Sequence, residues 1–108
     1  MERVNRYETQ YILRTDLGDE ATEQAIARYI TLLQEQGATG VQILSQRRQR
    51  LAYPIKKYTE GLYVLLEYEA EGQMVALLER AMRLSEDVLR YLTVRQESRR
   101  PAETVAAD

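Results

Sequence analysis

The most constraining feature of this sequence is the order in which its apolar residues change their spacing. Two segments repeat apolar residues every three or four positions, as one face of an α-helix requires, and each lies between segments that alternate like β-strands. The resulting order is β-α-β-β-α-β, in a chain of 108 residues that has room for one compact domain. Two split β-α-β units with right-handed crossovers satisfy this order. We therefore predict an α+β domain in which a four-stranded antiparallel sheet carries both helices on one face.

Four segments are predicted to form the strands of this sheet. In the first, residues 7–13, the side chains of Tyr7, Thr9, Tyr11 and Leu13 share one face because strand residues alternate. Pro54 suits the end of the second strand because it lacks a backbone donor. The other predicted strands, with the hairpin connection 56–61, are residues 40–53, 62–70 and 88–95.

Two helices are predicted between these strands. Asp16 or Asp19 can cap the start of the first helix, and Gly37 is typical of a left-handed cap at its end. The second helix begins at Gly72 and ends near Leu84 and Ser85. The predicted core-facing residues are Ile26, Tyr29, Ile30 and Leu33 in the first helix and Met74, Leu77, Leu78, Ala81 and Met82 in the second.

The alternation of the strands predicts which side chains lie on the open face, the side of the sheet away from the helices. Ile12, Tyr63 and Leu65 are expected there as an exposed apolar patch, which is typical of a surface that meets another protein. A shift of one residue in the strands, or cover by the tail, would remove this patch. Two pairs compete for the core in the last strand, namely Tyr91 with Thr93 and Leu92 with Val94.

Charge is distributed unevenly along the chain. Residues 44–58 carry five cations and no acid, which is +5, so the remainder of a chain with net charge −2 carries −7. Such segregation indicates a surface that meets phosphates, and the neighbouring Tyr53 and Tyr58 can stack on a base or on an Arg plane. The alternative is a strand edge whose Lys and Arg face water and discourage aggregation. A second cluster adds +3 near the last strand and comprises Arg90, Arg95, Arg99 and Arg100 with Glu97.

The sequence lacks the residues that most enzyme sites need. There is no Cys and no His, which excludes thiolate nucleophiles, imidazole bases and metal sites built on either residue. The five glycines form neither a dinucleotide-binding nor a P-loop spacing. Glu67, Glu69 and Glu71 are interpreted as solvated or salt-bridged surface rather than as a cation site. We therefore expect no enzymatic activity, no cofactor and no metal, and the lack of an apolar run of about 18 residues predicts an intracellular protein without a membrane helix.

Several segments share the spacing of a known family. They are Arg6-Tyr7-Glu8, LAYPI at 51–55 followed by Lys56-Lys57, GLYV at 61–64 and VLRYL at 88–92. Together they resemble the bacterial small-subunit ribosomal protein S6 family, and residues 78–86 resemble its cyanobacterial branch. The resemblance runs from about residue 6 to residue 95. We therefore expect one domain, residues 1–95, and a flexible C-terminal tail, residues 96–108.

The resemblance implies a ferredoxin-like fold and a structural role in the small ribosomal subunit, hence a cytoplasmic, ribosomal location. It also implies a heterodimer with the small basic ribosomal protein S18, and binding to the central domain of small-subunit ribosomal RNA during assembly of the platform. No membrane and no small-molecule substrate are expected. The residues predicted to bind RNA are Arg6, Arg47, Arg48, Arg50, Lys56, Lys57, Arg90 and Arg95. The residues predicted for the protein-partner face are Glu8, Tyr63 and Leu65, with a structural pair between Glu8 and a cross-strand Arg as the alternative for Glu8.

A second hypothesis belongs to another class of function. In it, the chain is a ferredoxin-like regulatory or ligand-binding domain that homodimerises through its open sheet. The two hypotheses differ in their response to salt, because phosphate contacts release counterions and a small-molecule site does not.

Overall fold

The computed structural model describes residues 4–96, which form four strands and two helices. The sheet has the strand order β2-β3-β1-β4, and every neighbouring pair is antiparallel. This arrangement confirms the predicted β-α-β-β-α-β order. Of the predicted tail, only Gln96 is described, as the last residue of β4; the rest of the tail, with Arg99 and Arg100, lies outside the described residues. In chain order the elements are β1 (Val4–Leu13), α1 (Asp19–Glu35), β2 (Thr39–Ile55), β3 (Tyr58–Glu71), α2 (Gly72–Leu84) and β4 (Val88–Gln96).

The core lies between the sheet and the two helices. The predicted alternation of β1 is confirmed, because Tyr11 and Leu13 are fully buried on the helix-facing side. The ring of Tyr11 meets that of Tyr29 edge-on, with centroids 5.4 Å apart. Leu77 was predicted to face the core, which is wrong: its side chain is exposed, and Val75 packs against the core because the helix is rotated toward that side. The largest fully buried apolar side chains are Tyr11, Tyr29, Tyr68, Leu13, Leu33, Leu66, Leu78, Met82 and Val64.

The first helix begins without the predicted Asp cap. Gly18 occupies the cap position, and the backbone N–H and the hydroxyl of Thr22 both donate to its carbonyl oxygen. Asp16 is unavailable because its carboxylate accepts hydrogen bonds from Arg14, and Asp19 is already the first helical residue. At the other end Gly37 has a φ of +101°, which confirms the predicted left-handed cap.

The β2–β3 hairpin is tighter than the predicted connection of residues 56–61. Only Lys56 and Lys57 form the turn, between the paired residues Ile55 and Tyr58. Both lysines have positive φ, 50° and 73°, as the favoured two-residue hairpin turn requires. Gly61 therefore lies within β3, where it serves close packing rather than turning.

The last strand turns Tyr91 and Thr93 toward the helices, which settles the parity that the sequence leaves open. The hydroxyl of Thr93 lies 2.7 Å from that of Thr9, which in turn lies 2.7 Å from the hydroxyl of Tyr68. This chain of hydrogen bonds satisfies polar groups in and beside the core. Leu92 and Val94 consequently lie on the open face, where they are 62% and 49% exposed.

Ile12 was expected in an exposed patch, and that expectation is wrong. It lies on the open face as predicted, but it is buried in a second, smaller apolar cluster with Leu51 and Leu89. Ile55, Tyr58 and Tyr63 pack against this cluster. The end of the β2–β3 hairpin thus covers one end of the open face. The exposed apolar side chains of the open face that lie on β4 are outside this covered end.

Candidate nucleic-acid interface

Residues 47–58 form a segment that we call the basic hairpin, and it carries five cations: Arg47, Arg48, Arg50, Lys56 and Lys57. Arg47 lies opposite Tyr63, on the open face, whereas Arg48 lies opposite Leu62 and points to the other side. Arg50 shares the side of Arg48 because strand residues alternate. Together with Lys56 and Lys57 at the turn, these side chains place exposed positive charge on both sides and at the tip of the hairpin.

The cations of the basic hairpin are not neutralised by neighbours. None of the five forms an ion pair with any carboxylate in residues 4–96. Glu60 lies opposite Arg50 in the strand pairing, yet their charged groups form no such pair. These charges therefore remain available to an anionic partner, and attraction to phosphates is the interaction that such a cluster favours.

A set of polar contacts holds the turn end of this hairpin against the loop after β1. The hydroxyl of Tyr58 donates to Oδ2 of Asp16 over 3.1 Å, and Nε of Arg14 donates to Oδ1 over 2.6 Å. The Arg14 guanidinium also lies 5.5 Å from the ring centroid of Tyr58 and 3.8 Å from Asp87. The hydrogen bond from Arg14 lowers the pKa of Asp16, whereas desolvation, followed by the bond to Asp16, raises the pKa of Tyr58.

Arg90 reaches the basic hairpin across the open face. Its guanidinium carbon lies 5.3 Å from the ring centroid of Tyr53, a cation–π contact. The two residues belong to β4 and β2, which are the opposite edges of the sheet. They meet because the hairpin folds over Ile12 and Leu89. The structure thus brings Arg90, from the second basic cluster of the sequence, to the basic hairpin, on the same face of the sheet as Arg47.

Arg6 and Arg95 lie apart from this surface. Arg6 is seven positions from the end of β1 nearest the hairpin, roughly 24 Å along the strand, and its guanidinium lies 4.0 Å from Glu67 and 3.8 Å from Glu69. Those two pairs confirm that Glu67 and Glu69 belong to a salt-bridged surface. Arg95 lies opposite Tyr7 and hence on the helix-facing side of the sheet. Six of the eight cations predicted to bind RNA therefore lie on or beside the basic hairpin, on both of its sides and at its tip, and two do not.

The predicted partner residues Glu8, Tyr63 and Leu65 all lie on the open face. Glu8 lies opposite Glu67 on one side and Val94 on the other. Within the described residues Glu8 forms no pair with an Arg, since Arg6 pairs with the carboxylates of β3 instead. Leu65 is half-buried and is separated from Leu92 only by Gln10. The open face therefore has an acidic end, Glu8, Glu67 and Glu69, beside the exposed apolar side chains of β4.

Sequence reasoning missed Arg14 and Asp16 as supports of the hairpin, and Leu92 and Val94 as the exposed apolar surface. The first pair has only a weak signal, an Arg and an Asp around a strand end. The second depends on strand parity, which the local sequence does not decide. No helix in the described part of the chain is long and apolar enough to cross a membrane, and no group of acidic side chains there is arranged to hold a metal ion.

Comparison with known proteins identifies the family. Residues 6–95 match the family described as Ribosomal protein S6. The small ribosomal subunit protein bS6 of Trichormus variabilis is 60% identical over 91 residues, which is 84% of each chain. The corresponding protein of Synechococcus elongatus is 56% identical over 96 residues, 89% of this chain and 90% of its own.

The fold is also that of a solved member. A crystal structure of 30S ribosomal protein S6 from Thermotoga maritima matches with a TM-score of 0.75 at 25% identity, covering 87% of this chain and 89% of its own. The ferredoxin-like fold, the family and its cyanobacterial branch are thereby confirmed. The relatives are structural ribosomal proteins, so the predicted non-enzymatic role and the ribosomal location are confirmed as well. This chain belongs to the ribosomal protein S6 family of the small ribosomal subunit.

Proposed function

We propose that this protein binds small-subunit ribosomal RNA through its basic hairpin, and ribosomal protein S18 through the open face of its sheet. The observation that supports RNA binding is the set of five exposed cations without a described carboxylate partner, joined by Arg90. Cations in such a group release counterions from the phosphate backbone together, so an acidic protein can still hold RNA. The target that follows from the family resemblance is the central domain of the RNA.

The electrostatics of the open face favour a basic protein as the second partner. Among residues 4–96, its acidic end combines Glu8, Glu67 and Glu69 with one neighbouring cation, Arg6, so these four side chains together are negative. Leu92 and Val94 supply exposed apolar area next to these charges. Apolar surface bordered by charge is typical of protein interfaces, and charge of one sign selects a partner of the other. Ribosomal protein S18, which the family resemblance implies and which is small and basic, fits this surface.

The RNA contact is tested by substituting Arg47, Arg48 and Arg50 together with Ala. Binding to a central-domain RNA fragment, with S18 present, is measured over a series of KCl concentrations. We expect the slope of log affinity against log salt to fall by about 2 to 3, since each phosphate contact contributes about 0.7 to 0.9. A triple variant with the wild-type slope would contradict the proposal.

The matched control for this experiment removes three cations from the helices. Arg28, Arg80 and Arg83 are exposed and lie on α1 and α2, so their replacement by Ala changes the net charge by the same amount. We expect this control to keep the wild-type salt slope. A loss equal to that of the hairpin variant would show that net charge, rather than the hairpin, determines RNA affinity.

The protein contact is tested by the variant L92S/V94S. Both side chains are exposed, so the domain should remain folded while its affinity for purified S18, measured without RNA, falls. Leu84→Ser is the control, because Leu84 is 72% exposed but lies on α2. An L92S/V94S variant that binds S18 like the wild type would exclude the open face as the interface.

A further inference from the structure

Tyr53 stands apart from the other tyrosines of this chain. All eight lie within the described residues, and Tyr53 alone is exposed, with 52% of its surface accessible. Exposing an aromatic ring forgoes the free energy that its burial would supply. An exposed ring in the middle of a cationic segment therefore suggests a ligand for its surface.

Arg90 already occupies part of this ring. The guanidinium lies over it at 5.3 Å from the centroid, and both side chains are exposed. Two flat groups in contact offer a further planar surface, since nucleobases stack on aromatic rings and on guanidinium planes alike. The Tyr53–Arg90 pair is thus a platform that a second planar group can extend.

The other tyrosine of the basic hairpin is not available for such a role. The hydroxyl of Tyr58 is bound by Asp16, its ring is covered by Arg14, and it packs against the cluster around Ile12. The structure therefore distinguishes two tyrosines that sequence reasoning treats alike. Tyr58 fixes the hairpin, and Tyr53 faces solvent between Arg50 and the lysines of the turn.

We infer that Tyr53 and Arg90 form a stacking platform for one unpaired nucleobase of the RNA. The inference rests on the proposed RNA binding and specifies its substrate: a bulge, loop or junction rather than a continuous duplex, because a paired base has no free face. The hairpin cations hold the phosphates on either side of this base. Stacking is tolerant of base identity, so the platform selects for an unstacked base rather than for a sequence.

The test compares Tyr53→Leu with Tyr53→Phe. RNA fragments of the central domain, each carrying 2-aminopurine at one unpaired position, are titrated with the protein and S18. We expect one position whose fluorescence is quenched by the wild type and by Tyr53→Phe, but not by Tyr53→Leu. The affinity of Tyr53→Leu should fall by about 5- to 150-fold, the range for loss of one base–aromatic stack, with an unchanged salt slope.

Arg90→Lys separates stacking from phosphate binding, because lysine keeps the charge and loses the plane. We expect a weaker quench and lower affinity at an unchanged salt slope. Thermal unfolding verifies that all three variants are folded. If Tyr53→Leu binds and quenches like the wild type while the triple Arg variant loses its salt slope, the platform is wrong and RNA binding by the hairpin stands. If neither variant changes binding, the proposed function is itself contradicted.

Discussion

The hydroxyl of Tyr58 donates a hydrogen bond to Asp16 across 3.1 Å, joining residues that are 42 positions apart in the sequence. This contact fastens the basic hairpin to the loop after β1, and Arg14 completes it by binding Asp16 through two nitrogens. The hairpin is held from its other side by Arg90 on Tyr53. A segment fixed in this way loses less conformational freedom on binding, which favours affinity.

Replacing Asp16 with Asn should remove a pH-dependent part of the stability. The hydrogen bond from Arg14 lowers the pKa of Asp16 below its ordinary value of 3.8. A carboxyl whose folded pKa is lowered stabilises the fold above its unfolded pKa, and this contribution is lost as the pH falls through the folded pKa. When urea unfolding is measured from neutral pH down to about pH 2, the free energy of unfolding should therefore fall more steeply in the wild type than in Asp16→Asn. Glu86→Gln, which removes an exposed carboxylate that forms none of the described ion pairs, should retain the wild-type profile.

Gly61→Ala should destabilise the domain through contact with Ile12. A Cβ at position 61 would overlap Cγ2 of Ile12 and would lie 3.5 Å from Cδ2 of Leu51. Ile12 is β-branched and buried, so it has little room to move, and we expect a loss of about 1 to 3 kcal/mol in the free energy of unfolding. The same substitution should cost less in an Ile12→Ala background. Gly72→Ala is the control, because the Cβ there would meet only the Tyr7 hydroxyl at 3.4 Å, and equal losses at both glycines would contradict the assignment.

Two buried tyrosines should respond in opposite ways to removal of the hydroxyl. The hydroxyl of Tyr11 has no hydrogen-bond partner within the described residues, and burial raises its pKa. The hydroxyl of Tyr68 is bonded to Thr9. We expect Tyr11→Phe to raise the free energy of unfolding, and Tyr68→Phe to lower it, each by about 1 kcal/mol. Chemical denaturation of the two variants in the same buffer checks this, and a marked loss of stability in Tyr11→Phe would show that its hydroxyl has a partner.

Replacing the two turn lysines with an asparagine followed by a glycine, the variant K56N/K57G, should stabilise the fold and weaken RNA binding. Both lysines have positive φ, which costs a non-glycine residue about 1 to 3 kcal/mol, and an Asn-Gly pair favours this turn. Loss of two cations should reduce the salt slope by about 1.5. The variant K56Q/K57Q removes the same charges but keeps long side chains at both positive-φ positions. It should therefore show the same reduction in salt slope without the gain in stability. A K56N/K57G variant that is no more stable than K56Q/K57Q would contradict the claim that the backbone of Lys56 and Lys57 is strained.

The fold is predictable from the sequence because its strong patterns coincide with burial. Tyr7, Thr9, Tyr11 and Leu13 alternate over a whole strand, and each is buried. Sheet and helices then follow from the order of the elements and the handedness of crossovers. The ends of the helices are less predictable from the sequence. Thr22 and Gly18 form the start of α1 in place of an Asp cap, since Asp16 is bound by Arg14.

The candidate site is predictable as a charge pattern and not as a surface. The cations at residues 47–57 are adjacent in sequence, so their grouping needs no tertiary information. Arg90 joins them only because the hairpin folds over Ile12. That packing requires glycine at position 61, where a Cβ would overlap Ile12. Arg6 lies outside this run of cations, and the strand register places it beside Glu67 and Glu69. Such pairings between distant segments have no local signature.

The contact between Tyr53 and Arg90 also has a consequence for the order in which the chain is synthesised. A nascent polypeptide that has emerged as far as Tyr63 can form the hairpin, but it lacks β4 and so lacks Arg90 and Leu89 beneath the tip. The hairpin acquires its full set of anchors only when the last strand has been added to the edge of the sheet. Truncated products that lack β4 therefore carry the positive charges of the hairpin without the complete surface that presents them.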